Sequence, residues 1–134
     1  MGTMDMDDGQ AGNASQILVV DDDPQVLKYC ETVLTELGYS VTTTTSGCAA
    51  TRLLKERRFD LLILDLSMPD TDGFEILQMV RTQMRELKVL VISGFMQGTL
   101  LKAAELVGAN ATLDKPSTPE RLAQEVGKLL AKSA

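Results

Sequence analysis

The chain contains no histidine and no tryptophan, and only two cysteines. Without histidine, Ser-His-Asp and Cys-His catalysis, HExxH zinc sites and a phosphohistidine carried on this chain are all excluded. The two thiols, Cys30 and Cys48, fall on separate predicted helices. They make neither a disulfide framework nor a metal site, which predicts a reducing, cytoplasmic setting. Aromatics are 4% of the chain, so aliphatic side chains must fill the core. No apolar run approaches the ~18 residues a membrane span requires, and the amino terminus lacks the basic-then-apolar order of a secretory signal. Nor is there a basic stripe suited to direct nucleic-acid binding. The net charge is −6, and Asp5, Asp7 and Asp8 contribute half of it within the first sixteen residues.

What is present is 134 residues, 44% apolar, enough for one domain with one core. Residues 1–15, rich in Gly, Asp, Asn and Ser without periodicity, read as a disordered acidic tail. Residues 16–131 read as the domain, and 132–134 as a short carboxyl-terminal tail. Within the domain, apolar runs alternate with helical patterns. Ile17-Leu18-Val19-Val20 is a buried strand; Pro24 opens a helix capped by Asp22 or Asp23, with Val26, Leu27, Cys30, Val33, Leu34 and Leu37 at helical spacing and Gly38 as the stop. Tyr39–Thr45 is a β-branched strand, and Ser46 caps a helix with Ala49, Ala50, Leu53 and Leu54 inward. Leu61-Leu62-Ile63-Leu64 is a strand apolar on both faces, followed by a helix carrying Phe74, Ile76, Leu77, Val80 and Met84. Val89–Ile92 is the fourth strand. Leu100, Leu101, Ala104 and Val107 mark the fourth helix, stopped at Gly108. Ala109–Asp114 is a weak fifth strand, and Ser117 or Thr118 caps a last helix with Pro119 at its start and Leu122, Val126, Leu129 and Leu130 inward. Five βα units give an α/β fold with a parallel, right-handed, doubly wound sheet and helices on two faces. They are too few for an eight-fold barrel.

Each apolar strand ends in a polar residue: Asp21 and Asp22 after the first, Asp65 after the third, Ser93 after the fourth, Lys115 after the fifth. In this topology all carboxyl ends share one edge, where sites of open α/β sheets lie. Singly, each residue is an ordinary cap, turn or surface charge. Together they set at least three acids against one cation. Two like charges ~4 Å apart repel by ~4 kcal/mol at an effective dielectric of about 20. Proton uptake could relieve part of this, but a hard divalent ion with oxygen ligands does so better, and Mg²⁺ is bound by one or two carboxylates plus water and phosphate oxygens. With Mg²⁺, Asp65 becomes a nucleophile toward a phosphoryl group. Ser93 and Lys115 are placed to contact its oxygens.

Val19-Val20-Asp21-Asp22, Leu64-Asp65-Leu66-Ser67-Met68-Pro69-Asp70-Thr71-Asp72-Gly73, Val91-Ile92-Ser93-Gly94 and Asp114-Lys115-Pro116 resemble, in order and spacing, the signature blocks of receiver domains of two-component response regulators. The resemblance covers residues 16–131. It implies a flavodoxin-like sheet of strand order 2-1-3-4-5 and a phosphorelay role without turnover of an external substrate. Asp65 would accept phosphate from the phosphohistidine of a histidine kinase or phosphotransfer protein. It further implies Mg²⁺ held by Asp22, Asp65 and the backbone carbonyl of Ser67, with Asp21 acting through water. Ser93 and Lys115 become the phosphate-sensing pair, and an unidentified downstream protein reads the face of the fourth helix and fifth strand.

One position departs from the family. Receivers often carry Tyr or Phe three residues before the lysine, where this chain has Thr112, so the usual inward swing of a ring cannot operate. Phe95 is the nearest aromatic and a candidate shield for the aspartyl-phosphate; with Met96 it is expected to be exposed. Two other classes compete. Phosphatases of the haloacid-dehalogenase type share the Asp nucleophile and Mg²⁺, but want a second acid where Ser67 stands. A docking module that keeps only the fold is favoured by Thr112 and opposed by the intact set Asp22, Asp65, Ser93 and Lys115. The chain reads as a stand-alone receiver or a piece of a longer regulator or hybrid kinase.

Overall fold

The computed structural model describes residues 14–68, 73–94, 98–115 and 117–131. The elements are β1 (Gln16–Val20), α1 (Pro24–Glu36), β2 (Ser40–Thr44), α2 (Gly47–Glu56), β3 (Leu61–Asp65), α3 (Gly73–Gln83), β4 (Lys88–Ser93), α4 (Gly98–Val107), β5 (Ala111–Asp114) and α5 (Pro119–Ala131). All strand pairs are parallel, in the order β2-β1-β3-β4-β5. The order reverses between β1 and β3, which makes the carboxyl end of that pair the switch point where such sheets open a crevice.

Alternation along the strands divides the core into two layers. Leu18, Val20, Leu62, Leu64, Val89 and Val91 face α2, α3 and α4 through Leu54, Ile76, Leu77, Val80 and Ala104. Ile17, Val19, Leu61, Ile63, Leu90 and Ile92 face α1 and α5 through Leu27, Leu34, Leu122 and Val126. Each large aliphatic removed from water contributes about 1.5–3 kcal/mol. Both faces of β3 are therefore strongly held, and its carboxyl end is a rigid place for a reactive group.

Helix ends follow the local chemistry. The Asp23 carboxylate accepts from the Gln25 N–H at 2.9 Å, Ser46 Oγ from the Ala49 N–H at 3.0 Å, and Thr118 Oγ1 from the Arg121 N–H at 3.1 Å, each satisfying an orphan donor of a first turn. Asp23 rather than Asp22, and Thr118 rather than Ser117, are thus the caps. Gly38 leaves α1 at φ +97°, a conformation that favours glycine.

Strand limits shift by one or two residues from the sequence reading, most at β5, which begins at Ala111. Two residues assigned to inner stripes are exposed. Leu37 is the C-cap of α1, beyond its last buried turn, and Val107 ends α4, where Ala104 carries the burial. Among the described residues no helix is long and apolar enough to cross a membrane. Cys30 is buried, Cys48 exposed, and both are free. Residues 1–13 of the acidic tail, the Pro69–Asp72 turn, Phe95, Met96, Pro116 and 132–134 lie outside the described residues, as do the side chains of Leu100 and Leu101.

Candidate functional site

The register brings the strand ends level. Val20 pairs with Leu64, so the next residues, Asp21 and Asp65, stand side by side at the switch point. Asp65 lies opposite Ile92, which places Ser93 one step beyond it. The Lys115 N–H donates to the Ser93 carbonyl at 2.9 Å, carrying the β4–β5 pairing past the strand and delivering the lysine to the same edge. Asp21, Asp65 and Ser93 are the buried polar residues of the described structure. Long aliphatic strands end by driving polar groups into the interior, and that costs free energy unless they are partnered.

The partners are largely each other. The Lys115 ammonium is 2.6 Å from Asp21 Oδ2 and 3.3 Å from Asp65 Oδ2. Asp65 Oδ1 accepts the Ser67 N–H at 2.9 Å, a turn that fixes the carboxylate's orientation. Asp21 Oδ1 accepts the Asp23 N–H at 2.9 Å. Asp21 Oδ2 is different: it is buried and accepts no hydrogen bond from the described residues, so its contact with Lys115 is an ion pair whose angles do not make a hydrogen bond.

Burial pushes the Asp21 carboxyl above its ordinary value, and the neighbouring Asp65 adds to this, while Lys115 and the Asp23 N–H offset only part of it. Burial pulls the Lys115 ammonium down, yet the two carboxylates outweigh it and its pKa is raised. The site is locally short of positive charge, with one lysine serving two buried acids. Beneath it, burial and the Asp21 charge push the Cys30 thiol up to about 11, which leaves it inert as a nucleophile.

Oxygens of Asp21, Asp22 and Asp65 lie within 4.8 Å of one another. Asp22 is exposed whereas the other two are buried, so the cluster opens to solvent at Asp22. Asp21 Oδ2 shares its one counter-charge, Lys115, with Asp65 and stands beside two further carboxylates, an oxygen donor set suited to a small hard cation.

All five strand-end residues singled out in the sequence therefore meet: Asp21, Asp22, Asp65, Ser93 and Lys115. Thr112 is half-buried in β5, opposite Val91, one layer below the site. Sequence reasoning missed the Ser67 side chain, whose Oγ lies 2.7 Å from Ser93 Oγ. It also named Gly73 only as the last residue of the Leu64–Gly73 block. A Cβ on Gly73 would stand 2.8 Å from Leu66 Cα and 3.2 Å from the Asp65 carbonyl oxygen, so α3 packs its first residue against the backbone that carries Asp65. Neither contact has a sequence signature, because each depends on how close two separate segments come.

The model of the response regulator receiver domain family matches residues 17–127. The two-component response regulator ORR23 of Oryza sativa subsp. japonica is 46% identical over 80 residues, covering 58% of this chain and 12% of that protein. The response regulator SaeR of Staphylococcus aureus (strain USA300) is 30% identical over 118 residues, 88% of this chain and 51% of that protein. The chain thus spans about half the length of SaeR and a small part of the rice regulator. Among solved structures, a CheY-like receiver domain protein from Methanospirillum hungatei superposes with a TM-score of 0.86 at 24% identity, over 90% of this chain and 97% of that one. Chemotaxis response regulator CheY4 of Vibrio cholerae gives 0.82 at 29%, over 88% and 100%.

Proposed function

The chain belongs to the response regulator receiver family, and from that premise we propose that it is a cytoplasmic phosphoacceptor in a phosphorelay, with residues 16–131 as the receiver unit and Asp65 as the acceptor. The observation that carries this reading is the convergence of Asp21, Asp22, Asp65 and Lys115 on the carboxyl edge, with Asp65 at the end of the strand buried on both faces.

In the proposed reaction an Asp65 carboxylate oxygen attacks the phosphorus of a phosphohistidine on a histidine kinase or phosphotransfer protein. The O–P bond forms as the N–P bond breaks, and the imidazole leaves with a proton. Asp65 is held by the Ser67 N–H and Lys115, so its approach is fixed before the donor arrives, and positioning of this kind lowers the barrier without a further chemical group. Asp22, Asp65 and the Ser67 carbonyl would hold Mg²⁺, with Asp21 acting through water; when bound, the ion neutralises charge on the transferring group. Lys115 pairs with one phosphoryl oxygen and Ser93 donates to another. Output leaves through the α4–β5 face to a downstream protein, and the module turns over no external substrate.

The test is intact mass after incubation with a small amidophosphate donor, with and without Mg²⁺, for wild type and Asp65→Asn. One added phosphoryl group, dependent on Mg²⁺ and absent from the variant, is the expected result. Equal labelling of the variant overturns the assignment of Asp65.

A further inference from the structure

A cleft of about 880 Å³ opens at the amino edge of β3 and β4, on the opposite side of the sheet from the phosphoacceptor, between the segments that follow α2 and α3. Its charge contradicts that of the chain. Arg57, Arg58, Arg85 and Lys88 line it against only Asp60 and Glu86, in a protein of net charge −6. None of the four cations forms an ion pair among the described residues. Arg57 lies over the Phe59 ring, 5.0 Å from its centroid, and Asp60 is occupied by the Gln16 N–H at 2.8 Å. Phe59 and Leu87 give the cleft an apolar floor beneath a cationic rim.

The bond from Gln16 to Asp60 also says what lies next to the cleft. Asp60 is a lining residue, and it exchanges two bonds with Gln16: the Asp60 N–H donates to the Gln16 carbonyl at 2.8 Å, and the Asp60 carboxylate accepts the Gln16 N–H. The chain therefore enters the described structure at the cleft's margin. Upstream of that point the sequence reads Met4-Asp5-Met6-Asp7-Asp8, three acids with two apolar thioethers. Asp8 is six residues from Ala14, a reach of about 20 Å when extended. Tethering at that range gives the segment an effective concentration that a free partner must exceed.

We propose that the cleft is a docking site for this chain's own Met4–Asp8 segment, held by carboxylate contacts to the rim cations. The binding is electrostatic, so it weakens as salt screens exposed charge.

The experiment is amide-resonance mapping of the full chain, comparing wild type with the Asp5→Asn, Asp7→Asn, Asp8→Asn triple variant. Neutralisation should move the resonances of Arg58, Asp60 and Arg85–Lys88 while leaving Asp65 and Ser93 in place, and added salt should move the wild type in the same direction. The converse variant, Arg58→Glu with Arg85→Glu, should shift residues 4–8. Cleft resonances that do not differ between wild type and the triple variant overturn the proposal. So do shifts that disappear on dilution, which assign the cleft to a second copy. Equal shifts of both proteins on adding inorganic pyrophosphate, with none between them before, assign it to a small polyanion instead.

Discussion

Asp21 shows how a reactive cluster is kept in a stable fold. Its raised pKa means that the ionised carboxylate is less favourable in the folded chain than in the unfolded one, burial being the main cause. Asp21→Asn should therefore stabilise the metal-free protein at neutral pH, on the scale of about 0.5–2 kcal/mol common to single stabilising substitutions. The sign has a pH window. Above the raised folded pKa the wild type carries the cost of a buried charge. As pH falls through that value Asp21 takes up a proton and the cost disappears, so the advantage of the variant is lost by about the ordinary carboxyl value of 3.8. Urea denaturation of both proteins across pH checks this, and adding Mg²⁺ at neutral pH should stabilise the wild type more than the variant. Gly73 carries the opposite kind of constraint. A Gly73→Ala side chain would press on Leu66 Cα and the Asp65 carbonyl oxygen, and overpacking against backbone costs about 1–3 kcal/mol. Loss of stability should come with slower labelling of Asp65, measured by intact mass, because the atoms displaced are those that aim its carboxylate.

At the scale of elements, the sheet is closed at its amino edge by one device used twice. The residue before β3, Asp60, gives its N–H to the Gln16 carbonyl and takes the Gln16 N–H on its carboxylate. The residue at the entry to β5, Asn110, does the same with Val89: its N–H donates to the Val89 carbonyl at 2.8 Å, and its side-chain oxygen accepts the Val89 N–H at 2.8 Å. A short polar side chain thus replaces one rung of the ladder where the strand has not yet begun. Val89 is fully buried, so Asn110→Ala leaves a donor without its partner and should cost about 1–3 kcal/mol. Asn110→Asp restores the acceptor and should recover most of that loss in the same denaturation measurement. The sequence reading began the fifth strand at Ala109, two residues before β5 begins. Asn110 makes a strand-like pair of bonds, one through its backbone N–H and one through its side chain, and a propensity argument cannot see that only the second replaces a rung. Elsewhere the order of elements was legible because the strands are unbroken aliphatic runs, and the clustering of polar residues at the carboxyl edge was legible because Asp21, Asp65 and Ser93 each end such a run. The exposure of Leu37 and Val107 was not, since helical spacing says which residues share a face but not where the packing partner stops. Nor was the Ser67–Ser93 contact, which depends on β3 and β4 being neighbours in register.

For the molecule as a whole, if Asp65 accepts phosphate as proposed, the decisive question is how far phosphorylation would move it. Taking an active form from 1 to 99 per cent needs about 5.5 kcal/mol of difference between the two states. Apart from the metal ion that the acids would hold, the proposed side-chain contacts to the phosphoryl group are two, from Ser93 and Lys115, each charge-assisted and each ~1.5–3 kcal/mol if made from nothing. Neither is made from nothing. The Lys115 ammonium already sits against Asp21 and Asp65, and the Ser93 hydroxyl already bonds Ser67. Engaging the phosphoryl group exchanges those contacts, so the net gain falls below the full value of either. Thr112, opposite Val91 in β5, offers no ring to add packing energy to one state. Phosphorylation of the free chain should therefore give a mixture of states, completed by the downstream partner's preference for one of them. Relaxation-dispersion NMR of the α4–β5 face, with beryllofluoride as the phosphoryl mimic, should find resonances exchanging between two positions, with the populations shifted but not exhausted. A single, fully displaced set of resonances in the absence of any partner would mean that a source of differential energy beyond Ser93 and Lys115 acts in this chain.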